Sequence, residues 1–238
     1  MNHSKSFWII LPAAGVGQRM AADRPKQYLP LQDKTVIEYS LQKLLDMPSI
    51  SGVVLALDKN DSYWPELQFS HSKPVLEVAG GDERCDSVLN ALHALEQYLP
   101  DQSQEVWVLV HDAARPCVRA DDITKLINKA SHDDHGGLLA LPVRDTMKRQ
   151  LANNRVQTTV DRTGLWHALT PQMFKLDLLI RALQHAAEKG LQVTDDASAM
   201  ELVGYHPLLV EGHEDNIKIT RPFDLVLAGL YLQEQMND

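Results

Sequence analysis

Trp8-Ile9-Ile10-Leu11-Pro12-Ala13-Ala14-Gly15-Val16-Gly17-Gln18-Arg19-Met20 decides the fold. Its apolar run stops at a proline, and small residues and glycines follow, which reads as a buried strand feeding a loop. Further candidate strands come at intervals, at residues 53–57, 75–78, 106–110 and 138–141. Most are β-branched or leucine runs, as expected of strands covered on both faces. Helical patterns lie between them at 36–45, 87–98 and 123–130. The alternation predicts right-handed βαβ crossovers and an α/β fold whose sheet is mostly parallel, with helices on both faces.

The alternation breaks after Pro142. Residues 146–150 and 156–160 flank Ala152-Asn153-Asn154, a polar turn with hairpin chemistry, and predict a protruding β-arm at about 144–163. Such an arm has little core of its own, so its apolar residues are expected to leave water by packing on a second copy. Helix is expected again at 176–189, ended by Gly190, and at 221–232, with Thr220 as cap and Pro222 in the first turn.

A length of 238 residues fits one domain with a small excursion. The formal charge of −9 argues against a general basic field for nucleic acid but leaves room for a local cluster that holds small anions. Cys85 and Cys117 are far apart and without a C-x-x-C partner, so they read as unpaired thiols rather than a disulfide or zinc site. The polar start at residues 1–6 is followed by too short an apolar run for a signal peptide or membrane span, and a cytoplasmic protein is expected.

Residues without bulky side chains after the first strand let backbone N–H groups approach a polyphosphate closely. A dinucleotide fingerprint would need a third glycine at Met20, and a Walker loop would need a Gly-Lys-Ser/Thr ending that the chain lacks. A plain turn remains the alternative use of Gly15 and Gly17. Arg19 and Lys26 fall in the same turn-rich stretch and could converge on one triphosphate, or be solvated surface charges.

Followed by Pro25-Lys26-Gln27-Tyr28-Leu29, the string Pro-Ala-Ala-Gly-x-Gly-x-Arg-Met resembles the signature of the 2-C-methyl-D-erythritol 4-phosphate cytidylyltransferases. Gly80-Gly81-Asp82-Glu83-Arg84 with Ser87, Val110 to Pro116, Pro142 to Thr146, Thr170-Pro171-Gln172, Thr194 to Ser198 and Asp215-Asn216-Ile217-Lys218 match in the same order, over nearly the whole chain. The resemblance implies a Rossmann-like nucleotidyltransferase fold with a β-arm for dimerisation. It also implies transfer of a cytidylyl group from CTP to methylerythritol phosphate, with Mg²⁺ or another divalent cation, in a homodimer whose β-arm is exchanged.

Residue by residue, Arg19, Lys26, Arg162 and Lys218 match the family's catalytic positions. Pro12, Ala13, Ala14, Gly15 and Gly17 match the backbone that holds the triphosphate, and Gly81, Asp82, Ser87 and Ala113 match other nucleotide contacts. Helix capping is the alternative for Asp82 and Ser87. Asp112, Arg115, Thr146, Arg162, Thr170 and Thr194 match acceptor-binding positions, and Lys218 one that touches both substrates. Turn, cap and strand-edge roles are the plain alternatives for Thr146, Thr170, Thr194 and Lys218. Asp112 ends a strand, where open α/β sheets gather ligands. It is the better candidate contact for the metal and Asp215 the weaker, with the ion held mainly by CTP phosphates. Two other readings remain: a nucleotidyltransferase acting on ribitol phosphate, and a nucleotide-binding regulatory module without turnover.

Overall fold

The computed structural model of the chain describes residues 5–15, 23–99 and 105–237. β1 (Lys5–Pro12) is followed, after a 3-10 turn at Lys26–Tyr28, by a small hairpin of β2 (Pro30–Leu31) and β3 (Lys34–Thr35). Next come α1 (Val36–Leu45), β4 (Ile50–Leu57), the one-turn α2 (Trp64–Leu67), β5 (Val75–Ala79) and α3 (Arg84–Tyr98). β6 (Glu105–Val110), α4 (Ala120–Ala130) and β7 (Gly137–Pro142) precede a separate hairpin, β8 (Met147–Gln150) with β9 (Val156–Val160). The chain closes with β10 (Trp166–Lys175), α5 (Leu176–Glu188), α6 (Asp196–Leu202), β11 (Leu208–Glu211) and α7 (Pro222–Gln235).

Seven strands make one sheet in the order β11-β7-β10-β6-β1-β4-β5. β10 alone runs against the rest, antiparallel to both β6 and β7. Successive residues of a strand face opposite sides, and both sides are dry here. Ile9, Leu11 and Leu109 pack with α1 and α4 on one face, through Ile37, Leu41, Ile123 and Leu126. Trp8, Ile10, Val108 and Phe174 pack with α3 and α5 on the other, through Val88, Leu92, Leu179 and Leu183. α7 closes a third cluster with Leu31, Val36 and Cys117.

Helix starts differ a little from the sequence reading, for reasons of capping. α3 begins at Arg84 because Glu83 is the N-cap and receives the Asp86 carboxylate at its own N–H, 3.0 Å away. α7 is capped at Arg221 rather than Thr220, and Asp224 accepts from the backbone N–H of both at 2.8 Å. Gly190 does end α5, with φ +60°. The short strands β2 and β3, together with β10, β11, α2 and α6, are not among the expected elements. β10 lacks an unbroken apolar signature because His167, Thr170, Pro171 and Gln172 interrupt it, and its pairing to β7 shifts register between Ala168 and Gln172. No helix among the described residues is long and apolar enough to cross a membrane.

Candidate active site

The loop after β1 is fixed from several sides. Ala13 N–H donates to the Ala56 carbonyl at 2.8 Å, and the buried Gln27 side chain donates to the Ala13 carbonyl at 2.6 Å. Gly80 N–H reaches the Leu57 carbonyl at 2.6 Å, which brings the β5–α3 turn alongside. The two loops meet closely enough that a Cβ on Gly80 would lie 2.5 Å from the Ala14 Cβ, and within the turn itself a Cβ on Gly81 would lie 2.2 Å from the Asp86 Cβ. Ser87 is buried and does not cap the helix: its hydroxyl oxygen accepts from Gly81 N–H at 3.0 Å, so it holds the turn. Asp82 also leaves capping to its neighbours and lines the cleft. These loops enclose a cleft of about 190 Å³ at the carboxyl ends of β1, β5 and β6.

Asp112, just past β6, forms the charged floor. Its carboxylate lies 2.8 Å from Lys218 Nζ, 3.2 Å from Arg84 Nε and 3.5 Å from Arg115 Nε. Burial alone would raise its pKa, but Arg84, Lys218 and Arg115 overcome that and hold the carboxyl well below the usual range. Three cations on one carboxylate leave positive charge to spare, which suits a site for anions. Behind Asp112 the polar groups form a closed chain. His111 Nε2–H donates to the Arg115 carbonyl at 3.1 Å, Thr170 donates its hydroxyl proton to His111 Nδ1 at 3.1 Å, and Asp112 N–H donates to Thr170 Oγ1 at 3.1 Å. The carbonyl fixes the ring tautomer, since it can only accept. Burial pushes the His111 pKa down to about 4, so the ring is neutral near pH 7. Arg115 donates to the Asn216 carbonyl at 2.7 Å, and the Asn216 amide donates to the Thr170 carbonyl at 2.8 Å.

The structure therefore gathers Pro12, Ala13, Ala14, Gly15, Lys26, Gly81, Asp82, Ser87, Asp112, Ala113 and Lys218 on one cleft, with Arg115 and Thr170 packed against Asp112. Lys26 Nζ donates to the Ile219 carbonyl at 3.0 Å, next to Lys218, so the two lysines approach from segments far apart in sequence. Gly17 and Arg19 lie outside the described residues. Thr146 and Arg162 are exposed where the chain enters and leaves the open end of the β8–β9 hairpin, and Thr194 is exposed before α6, where its N–H meets the Ser198 hydroxyl at 3.1 Å. Asp215 sits apart from the cleft lining, paired with Arg119 at 2.7 Å and receiving the Gln235 amide at 2.7 Å. Arg84, on the cleft between Asp112 and Asp196, was not singled out from the sequence, although it stands inside a matched motif. An arginine opening a helix gives no sequence signal of its own.

Room for a polyphosphate at the ends of parallel strands, with cations on the floor and glycines on the wall, is the working arrangement of a nucleotidyltransferase, and the fold is of that kind. The model of one sequence family, described as 2-C-methyl-D-erythritol 4-phosphate cytidylyltransferase, matches residues 7–234, and the chain belongs to that family. It is similar to the enzyme of that name from Aliivibrio fischeri, 51% identical over 98% of this chain and 96% of the relative. It is also similar to that from Vibrio parahaemolyticus, 54% identical over 95% of each. Among solved structures, a 4-diphosphocytidyl-2C-methyl-D-erythritol synthase superposes with TM-score 0.83 at 35% identity, over 96% of this chain and 99% of the other. The Francisella tularensis cytidylyltransferase gives 0.81 at 35% identity, over 95% and 99%. Membership makes the chain an enzyme, a cytidylyltransferase of the CTP-dependent step in non-mevalonate isoprenoid biosynthesis.

Proposed function

We propose that the cleft joins CTP to 2-C-methyl-D-erythritol 4-phosphate by in-line displacement. An oxygen of the acceptor's phosphate forms a new bond to the α-phosphorus of CTP while the bond from that phosphorus to the β-phosphate oxygen breaks, releasing pyrophosphate and 4-diphosphocytidyl-2-C-methyl-D-erythritol. A phosphate dianion is already a nucleophile, so catalysis is positioning plus neutralisation of charge. The observation that carries this reading is the convergence of Lys26 and Lys218 beside Asp112 on the glycine-loop cleft.

In this reading the backbone from Pro12 to Gly17 cradles the triphosphate, with Arg19 and Lys26 as charge stabilisers. Gly81, Asp82, Ser87 and Ala113 bound the cytidine. The close approach of Gly80 to Ala14 supports selection of a pyrimidine, because it keeps that wall narrow. Asp112, Arg115 and Thr170 form the acceptor side together with Thr146, Arg162 and Thr194. The Thr170 hydroxyl proton is committed to His111, so Thr170 meets a ligand as an acceptor.

The donor set does not fit a divalent cation held by protein ligands. Both Asp112 oxygens face cationic side chains, and Asp215 stands apart from the cleft lining with one oxygen taken by both Arg119 and Gln235. The Mg²⁺ that triphosphate chemistry calls for is assigned to the phosphates and water.

The β8–β9 hairpin pairs only with itself within the sheet architecture and exposes Met147, Leu151 and Val156, the last 62% accessible. An isolated two-stranded hairpin is marginal in water, which supports a homodimer with exchanged arms and Arg162 serving the partner's site. Arg162→Ala and Lys218→Ala enzymes are each expected to be impaired. Mixing them after subunit exchange restores turnover, because one site of the mixed dimer then carries neither change. No recovery on mixing would place Arg162 in its own subunit's site.

The activity itself is read by pyrophosphate release with Mg²⁺, comparing CTP, ATP, GTP and UTP against methylerythritol 4-phosphate and ribitol 5-phosphate. Turnover is expected with CTP and methylerythritol phosphate. Preference for ribitol phosphate would move the acceptor assignment, and binding without release would leave a regulatory module.

A further inference from the structure

Arg84 opens α3 at the lip of the nucleotide cleft, yet its guanidinium spans two acidic groups from different parts of the chain. Nε lies 3.2 Å from Asp112, and Nη2 lies 2.8 Å from Asp196 in the first turn of α6. Asp196 is wholly buried, and its second oxygen has no hydrogen-bond partner. Burial, against the pull of Arg84, leaves its carboxyl above the usual carboxylate range. A buried carboxylate with an unmatched oxygen is an expensive way to hold a helix in place, since a well-packed neutral side chain does that as well or better. Its geometry has a different consequence. Without Asp196, all of the Arg84 guanidinium would be free to collapse onto Asp112 and compete with Lys218 and Arg115 for the same two oxygens.

We infer that Asp196 is a positioning residue: by holding one end of Arg84 it limits that arginine's grip on Asp112, and so keeps Lys218 and Arg115 in the arrangement that the acceptor phosphate meets. The set of Arg84, Arg115 and Lys218 with Asp112 and Asp196 carries one net positive charge when both carboxylates are ionised, which suits an incoming phosphate. Asp196 is wholly buried and does not line the cleft, so its effect passes through Arg84. The inference rests on the role given to Asp112 above.

Asp196→Asn keeps the size and an acceptor oxygen but removes the charge. Steady-state pyrophosphate release is expected to show kcat lowered about 10- to 100-fold with KM for CTP within about threefold, and little change in melting temperature. Arg84→Lys keeps a positive charge but replaces the two nitrogens that address Asp112 and Asp196 separately with a single one on a shorter stem, and should lower kcat similarly. The double variant is expected to be no worse than the poorer single one, because both changes break one linkage. Wild-type kcat in Asp196→Asn, or losses that multiply in the double variant, would overturn the inference. Should Asp196→Asn fail to fold, Arg84→Lys decides alone: an unchanged kcat overturns the linkage and a kcat-selective loss supports it. Asp112→Asn, measured alongside, separates the two levels. Full activity there defeats the reading of Asp112 itself, whereas an inactive Asp112→Asn beside a fully active Asp196→Asn defeats only the positioning role.

Discussion

Lys218→Ala is expected to lower kcat on the order of 10²–10³-fold, the usual result of removing a preorganised charge donor from the transition state of a group transfer. Lys218 stands 2.8 Å from Asp112, and the next residue's carbonyl holds Lys26, so one short segment orders both cations. The loss should appear in kcat more than in CTP affinity, since the glycine loop and the β5–α3 turn remain intact in the variant. Pyrophosphate release and equilibrium CTP binding, measured on the same preparation, give the split. Lys218→Arg should recover part of the rate by restoring the charge, but not all of it, because a planar fork does not occupy the point position of an ammonium. A variant with wild-type kcat would remove Lys218 from the chemistry and leave it as a structural partner of Asp112.

Acid should destabilise the protein through His111. The ring's pKa falls from an ordinary 6.5 to about 4 in the folded chain, so at intermediate pH the unfolded chain binds a proton that the folded one refuses. The neutral ring's contribution is therefore intact above about pH 6.5 and is lost as pH falls through 6.5 towards 4, about 2 kcal/mol of it between pH 7 and pH 5. Urea unfolding at those two pH values measures the loss, and His111→Gln is expected to lose less over the same interval. The ring's NMR titration gives a direct check: it should stay neutral to near pH 4. A ring that titrates near 6.5 in the folded enzyme would contradict the buried chain of His111, Thr170 and Asp112.

The parallel part of the sheet was legible because apolar runs such as Trp8 to Leu11 face two dry sides, so their composition carries the signal without help from context. β10 was not, since its polar residues serve the site: Thr170 and Gln172 interrupt the run because they bond to Asp112 and to Asp195, 3.1 and 2.8 Å away. The cleft was legible mostly through matched motifs. Pro12 to Gly15, Lys26, Gly81 and Lys218 come together as that reading expects. Spacing could not reveal that Ser87 holds the Gly81 N–H instead of capping, nor that Asp215 turns away to Arg119, because both depend on how distant segments pack. Arg84 and Asp196 escaped for the same reason. They are 112 positions apart, and only the folded chain makes them partners.

The late place of β10, α6 and the Lys218 segment in the chain bears on how the enzyme is made. Every strand of the nucleotide side, β1, β4, β5 and β6, is complete in the sequence by Val110, whereas the groups that complete the floor around Asp112 arrive with Thr170, Asp196 and Lys218. A chain that ends before β10 thus carries Asp112 and the β5–α3 turn but none of Thr170, Asp196 and Lys218, so Asp112 would lack its lysine and Arg84 its second carboxylate.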